Sequence, residues 1–427
     1  MNNKSMANFG ARGWMLIFSN FFTLLVAYMV INHVNSTSAF YAQQGWNPTL
    51  LFTSFTVGGI VSVFFQFFAG HLCDKHSPKK IALIFGLIFA FATALYGFVT
   101  TMWQFWLVMI VTRTCSECWG LMANYKMVGN WFPRKRGIAM GLITFGIPLG
   151  AGVSAVFFMI LGNSAGLKTC FLVLAVLTLV AVLIQQLFTK DTPEEYGKMP
   201  DNEPAPDPAV IAAEREAFLK GVAQSPWTIK RIAGTKEIWF ISIALGLLMF
   251  ASGFMTQIIP VLSSYGVSEQ VASIAMMGVS IVACFFSWLC GVFDAKLGTK
   301  KAIIITQTCM IAMAVLMQMN NLPCAIAGLC FVGMGVGGGS NYLVSICLQY
   351  WGRFSFNKAY TLALPICNIF ATLGAGVIAA VAEMSSYRGS FLMFGGISVV
   401  GLILILLVRD GFVEMYEARF AAEKERI

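Results

Sequence analysis

Twelve stretches of this chain are each long and apolar enough to cross a lipid bilayer, and that pattern removes most folds from consideration. They run over 13–41, 48–70, 80–100, 102–127, 137–162, 167–189, 238–263, 268–291, 300–319, 322–348, 357–383 and 387–409. A hydrocarbon layer about 30 Å thick takes about 20 apolar residues of helix. Only 11% of residues are charged and 58% are hydrophobic, against about 25% charged in soluble domains. Too little polar sequence remains to coat a water-soluble core. In hydrocarbon every backbone N–H and C=O must be paired within the protein, which leaves helices or closed β-barrels. Barrel strands alternate polar and apolar residues, and these runs do not. The expectation is an all-α integral membrane protein with 12 transmembrane helices.

The formal net charge of +9 would point a soluble protein toward nucleic acid. Here it reads as orientation, because cytoplasmic loops of membrane proteins retain lysine and arginine. With the N-terminus inside, only Lys168 and Arg388 fall in outward loops and Arg113 falls within a span; the other basic residues lie on or near the inner side. That predicts a multi-pass protein of the cell membrane with both termini cytoplasmic and no nucleic-acid partner. The first run exceeds signal-peptide length and lacks a small-residue cleavage pattern, so it reads as a retained helix. The 11 cysteines lie almost all inside apolar runs, where they serve as small packing residues. Cys115 and Cys118 have metal-like spacing, but zinc needs further ligands and the chain holds only 3 histidines. No metal or cofactor is expected.

The longest polar stretch, 190–237, carries nine of the 19 acidic residues and several prolines, and reads as a cytoplasmic linker with a short surface helix over 209–221. Six spans lie on either side. The predicted organisation is an N-terminal six-helix bundle (1–189), the linker (190–237), a C-terminal six-helix bundle (238–409) and a charged helical tail (410–427). "GHLCDKHSPKK" (70–80) and "GVFDAKLGTKK" (291–301) fall at the same place in each half, between its second and third spans. Glycine there permits close helix approach and the lysines keep the loop inside. Twelve spans in two repeated halves read as a carrier whose halves rock about a central site.

These residues resemble the loop signature of the major facilitator superfamily. Gly70, Leu72, Asp74, Lys75, Lys79 and Lys80 match it, with Ser77 in place of the usual glycine. The second copy is degenerate, with Ala295 at the acidic position, Asp294 one residue early and Gly298 in place. The resemblance implies a gating role for Gly70, Asp74, Lys75, Gly291, Asp294 and Lys296, with Asp74 helping to latch the two halves. "NWFPRKRGIAMGL" (130–142), "TPEEYGKMP" (192–200), "IWFISIALG" (238–246) and "GVSI" (278–281) are similar to stretches of bacterial monocarboxylate and oxalate/formate-type carriers. Oxalate carriers of that group are expected to hold their dianion with an arginine in span eight and a lysine in span eleven. Ser287 and Leu364 stand at those positions, so a small dianion held in that manner does not fit.

A charge near the bilayer centre costs several kcal/mol and normally faces a cavity. Glu117 is the one acid deep in a span and Arg113 the one base, four residues apart and hence on one helical face, which Gly120 and Asn124 continue. Two readings are open. Arg113 and Glu117 neutralise each other and pin span four to its neighbours. Alternatively, Arg113 captures an anionic substrate, Glu117 holds the guanidinium while the site is empty, and substrate frees Glu117 to carry a proton. Tyr28, Asn32 and Asn35 share a stripe in span one, with His33 turned about a quarter away, read as a hydrogen-bonded packing residue or a titrating group. Gln66 and Gln257 supply amides that need partners in hydrocarbon, Asn368 shares one face of span eleven with Thr361, Pro365 and Thr372, and Asn341 lies in the glycine-rich run "GMGVGGGSNY" (333–342), a hinge or packing surface. "GIPLGAG" (146–152) reads as a flexible or kinked packing element of span five.

The C-terminal half holds no buried charge, so the site is ionic on one side and amide, hydroxyl and aromatic on the other, which suits an amphipathic monocarboxylate. The leading reading is a monomeric secondary carrier of a small organic anion, driven by protons or a counter-anion. An exporter of amphipathic cations recognising them through Glu117 is the alternative within transport, and a transporter-like receptor the alternative outside it. No paired catalytic acids, nucleophile–base set or nucleotide-binding sequence supports an enzyme or an ATP-driven pump.

Overall fold

The computed structural model describes residues 8–132, 135–196, 199–202, 220, 221 and 224–425. The surface helix expected over 209–221 lies almost wholly outside them. Among the described residues, ten helical stretches are long and apolar enough to cross a membrane, and no β-strand occurs. One of these stretches, Ala139–Phe188, covers the expected fifth and sixth spans. They are divided at Gly166, whose φ of +80° lies in the left-handed region that glycine enters without a Cβ clash. Gly352, at φ +64°, divides spans ten and eleven within Leu322–Met384 in the same way. The expected fourth span is Met102–Ser116, Glu117–Ala123 and Asn124–Trp131, α-helix on either side of a π-helical turn.

Local sequence sets the helix starts. Asn47 and Ser77 each precede a proline at the first helical position, where the missing N–H is no loss. Their side chains cap Pro48–Lys75 through Thr49 N at 2.8 Å and Pro78–Leu95 through Lys80 N at 3.3 Å. The first lysine-rich motif is therefore mostly helix: Pro48–Lys75 runs through it, and only His76 and Ser77 separate two helices. In the second copy, Glu269–Leu297 and Thr299–Gln318 are separated by Gly298 alone.

Large apolar side chains such as Phe64 (71% exposed), Phe91, Trp103 and Leu392 stand on the helix surfaces. An apolar surface of that extent belongs against lipid rather than water. Lipid tails are as apolar as leucine, so helices associate in a bilayer through close packing and hydrogen bonds. The glycine-rich strips do this. A Cβ on Gly146 would come 2.7 Å from Phe21 O, and one on Gly150 would strike Leu25 O, so "GIPLGAG" is where span five lies on span one. Gly335, Gly337 and Gly339 meet Ala251, Ser287 and Met249 likewise, which makes "GMGVGGGSNY" a packing surface.

The chain forms two compact units. One contains Met1–Ala205 with Gly253–Cys284 and Thr372–Tyr387; the other contains Pro206–Ser252, Phe285–Ala371 and Arg388–Ile427. The first unit thus joins the six N-terminal spans to the ends of spans seven, eight and eleven that lie away from the linker. Small residues form the seam: Gly59 lies against Thr372, Gly376 against Thr56 and Gly152 against Ser280. The beginning of the linker is fixed to this unit. Lys190 O and Asp191 O accept from Trp131 Nε1 (2.8 Å) and Asn130 Nδ2 (3.1 Å). Asp191 Oδ1 accepts from Lys79 N (2.7 Å), and buried Asp201 accepts from Lys135 N (2.9 Å).

In the second unit the tail is a helix, Phe412–Glu425, docked on the end of the linker. Trp227, 1% exposed, donates from Nε1 to Glu417 Oε1 at 2.7 Å and makes edge contacts with Trp351, Tyr416 and Phe420. Lys358 Nζ donates to Trp227 O at 3.0 Å, and Arg231 lies 4.2 Å over the Phe420 ring.

Candidate functional site

Arg113 is the last charged residue of an α-helical segment, and Glu117 opens the π turn that follows. A π turn inserted in an α-helix swings the residues behind it to a new direction and recurs at functional sites. Arg113 Nη2 stands 3.8 Å from Glu117 Oε1, both side chains 9% exposed. That is beyond hydrogen-bond range, so the charges attract without closing on each other. Arg113 Nε is buried and has no hydrogen-bond partner. The face of the guanidinium lies 4.3 Å from the Phe55 ring centroid in span two, a cation–π contact. Gly58, one turn along, makes room for the arginine stem: a Cβ there would sit 3.2 Å from Arg113 Cγ. The result is a buried cation with a free donor, an aromatic floor and a counter-charge, gathered from spans two and four. Such a set has the chemistry to hold a carboxylate: charge-assisted bonds to a guanidinium are short, directional and stronger than neutral ones.

Other expected site residues are placed differently. Asn124 follows the π turn and is hydrogen-bonded within the bundle. Its Nδ2 donates to Gly120 O at 2.8 Å and its Oδ1 accepts from Gln185 Nε2, while Trp119 Nε1 donates to Gln185 Oε1 at 2.8 Å. This amide joins spans four and six. His33 is fully buried inside a cage of Tyr96 (4.4 Å), Phe171 (5.0 Å), Phe105 (5.7 Å) and Phe158 (6.3 Å). Neither ring nitrogen has a hydrogen-bond partner, so the expectation of a hydrogen-bonded packing residue is corrected to one held by stacking. Asn32 is the break between Gly10–Ile31 and His33–Gln43, and its amide returns to Tyr28 O at 3.0 Å. Asn35, only a stripe-mate of Tyr28 in sequence, reaches span seven.

Gln257 donates to Ala375 O at 2.6 Å. Asn341 and Asn368 are half-buried in the second unit. Gln66 is on Pro48–Lys75, but its side chain, like those of Asp74 and Lys75 and the surroundings of Gly70, lies outside the described residues. In the second motif, Asp294 Oδ1 accepts from Thr299 Oγ1 at 2.6 Å, which ties it to the start of the next helix, and Lys296 is exposed. A Cβ on Gly291 would meet nothing within 4 Å. The expectation that glycine there allows close helix approach is corrected for this copy.

Residues 16–363 match the family model of the Major Facilitator Superfamily. Human monocarboxylate transporter 2 is 21% identical over 93% of this chain and 85% of its own length. The hexuronate transporter of Bacillus subtilis is 22% identical over 84% of each. A probable sulfoacetate transporter of Cupriavidus necator is 27% identical, over a region that spans only 31% of either protein. The crystal structure of a bacterial homologue of the human lysosomal transporter Spinster, inward-facing and occupied, superposes with a TM-score of 0.68 at 13% identity, covering 92% of this chain and 96% of that one. The chain belongs to the Major Facilitator Superfamily and is a multi-pass membrane transporter.

Proposed function

We propose that this member of the superfamily is a secondary carrier of a small organic monoanion, a monocarboxylate, moved by alternating access together with protons or in exchange for another anion. The observation that carries the reading is the Arg113 guanidinium, buried, facing Phe55 and with Nε unpartnered. A permanent cation kept in hydrocarbon with an idle donor is stable only if something completes it. A carboxylate does so, and Phe55 favours one with an apolar body. The three relatives are named for monocarboxylate, hexuronate and sulfoacetate, each an organic acid, which supports an anion over a cation.

In this reading Glu117 holds Arg113 while the site is empty. Arriving carboxylate takes over the guanidinium, and Glu117 is released to take up a proton from the side on which substrate entered. Substrate, held by Arg113, and the proton, held by Glu117, then cross together as the two halves tip. The termini and the linker face the cytoplasm, as the distribution of basic residues favours. Residues 1–189 and 238–409 act as the two rocking halves, and the carrier works as a monomer. The lysine-rich motifs, with Asp74 and Asp294, line the cytoplasmic side.

Uptake into liposomes holding only the purified protein tests this. The expected result is saturable uptake of a radiolabelled monocarboxylate, driven by an inward proton gradient or by anion loaded inside, and competed by other monocarboxylates. Competition by amphipathic cations, with none by carboxylates, overturns it in favour of recognition through Glu117.

A further inference from the structure

In an uninterrupted α-helix the N–H of Ile259 would donate to the carbonyl of Met255, four residues back. In span seven it does not. Ile259 N donates to Asn35 Oδ1 at 3.1 Å, and Asn35 Nδ2 donates to Met255 O at 3.0 Å. One side-chain amide from span one is inserted into the ladder of span seven and completes both halves of the broken rung. The same Nδ2 lies 2.8 Å from Met276 Sδ in span eight. Asn35 is 1% exposed.

The sequence of span seven prepares the gap. Pro260 has no N–H, so the neighbouring rung to Thr256 cannot form, and its ring crowds that carbonyl. The helix stops at Met255 and resumes at Ile258. Between them Gln257 adopts φ −129°, ψ 14° and its amide bonds to Ala375 O in span eleven. A side chain entering the i→i−4 ladder is a recognised cause of such a kink.

We infer that Asn35 is the latch of the gate on the face away from the linker, an inference that rests on the alternating-access reading above. No backbone group stays unpaired in hydrocarbon, so Met255 C=O and Ile259 N–H have two arrangements: both on Asn35, or on each other. The first draws the ends of spans one, seven and eight together and closes the seam of Gly59–Thr372, Gly152–Ser280 and Gly376–Thr56. In the second, Asn35 withdraws, the rung closes and the seam parts. A bistable element of this kind is what converts a small movement into a switch. The withdrawn amide has somewhere to go: a cavity of about 380 Å³, lined by Ser36, Phe40, Asn163, Glu269 and Ser273 among others, begins at the next residue. Water entering that cavity would satisfy it.

The test uses Ser280→Cys, a fully buried position on the seam, in proteoliposomes exposed to a membrane-impermeant maleimide on the face away from the linker. Labelling is read peptide by peptide by mass spectrometry, which separates it from the native cysteines. Asn35→Leu removes the latch, and Pro260→Ala, which leaves Asn35 in place, strengthens the competing ladder. Both are expected to speed labelling about tenfold, as loss of one or two hydrogen bonds shifts a two-state balance. Labelling of the parent during transport, with neither variant faster, overturns the latch and leaves alternating access standing. No labelling in any protein, the actively transporting parent included, overturns alternating access at this seam and the latch with it.

Discussion

Arg113 and Glu117 stand 3.8 Å apart, nitrogen to oxygen, on successive turns of span four, with the π turn beginning at the carboxylate. A tighter pair would satisfy itself. At this separation each charge steadies the other while the guanidinium keeps donor capacity for a third group. The coupling proposed above rests on that spacing, in which substrate would compete with Glu117 for one cation.

Glu117→Gln keeps the shape and removes the titrating proton. Net uptake driven by a proton gradient is expected to fall at least about tenfold, while exchange of internal for external substrate persists and loses its dependence on pH. Parallel uptake and counterflow assays across pH 5–8 check this. Unchanged proton-driven uptake with the parent pH profile removes Glu117 from coupling.

Asn124→Ala breaks the bridge from span four to Gln185, leaving buried Gln185 without one of its partners. Stability is expected to drop by about 1–2 kcal/mol, visible as a lower melting temperature in detergent, with substrate affinity unchanged. Loss of affinity at constant melting temperature would return Asn124 to the binding site.

His33→Phe retains the stacking with Tyr96, Phe105 and Phe171. Because neither imidazole nitrogen has a partner to lose, melting temperature, rate and pH profile are expected to match the parent. A shifted pH profile would show that His33 carries a proton after all.

Trp227→Ala empties the pocket shared by Trp351, Tyr416 and Phe420 and frees Glu417. Truncating a buried tryptophan costs about 3–5 kcal/mol where the surroundings cannot collapse. The expected readout is faster proteolysis within the tail after Arg409, checked by limited digestion. An unchanged cleavage pattern would mean that the tail is held by other contacts.

Much of this architecture is written in local sequence. Apolar runs mark spans because hydropathy accumulates residue by residue, and Asn47-Pro48, Ser77-Pro78 and Gly166 mark their edges because caps and left-handed turns need those residue types. Arg113 and Glu117 stand out for the same reason, as charges where charge is costly. What escaped was set by contact. Asn124 is tied to Gln185 of span six, a contact that no short motif announces. The cage around His33 draws rings from spans three to six. Asn35 gains its role from a backbone gap over two hundred residues away. Pro260 was the available signal for that gap, since a proline inside an apolar run removes a rung wherever it falls. The fixed start of the linker was hidden for a different reason: a polar, proline-rich composition describes Asp191 and Asp201 as solvated, although both accept backbone bonds.

The claim beneath all of this is that Arg113 is the anion-binding group. Purified parent protein and Arg113→Ala, each checked for monodispersity, are titrated with a panel of monocarboxylates by isothermal calorimetry at constant pH and salt. Binding to the parent and an affinity lower by about tenfold to a hundredfold in Arg113→Ala, the worth of charge-assisted hydrogen bonds, is the predicted result. Equal affinity in the two proteins contradicts it.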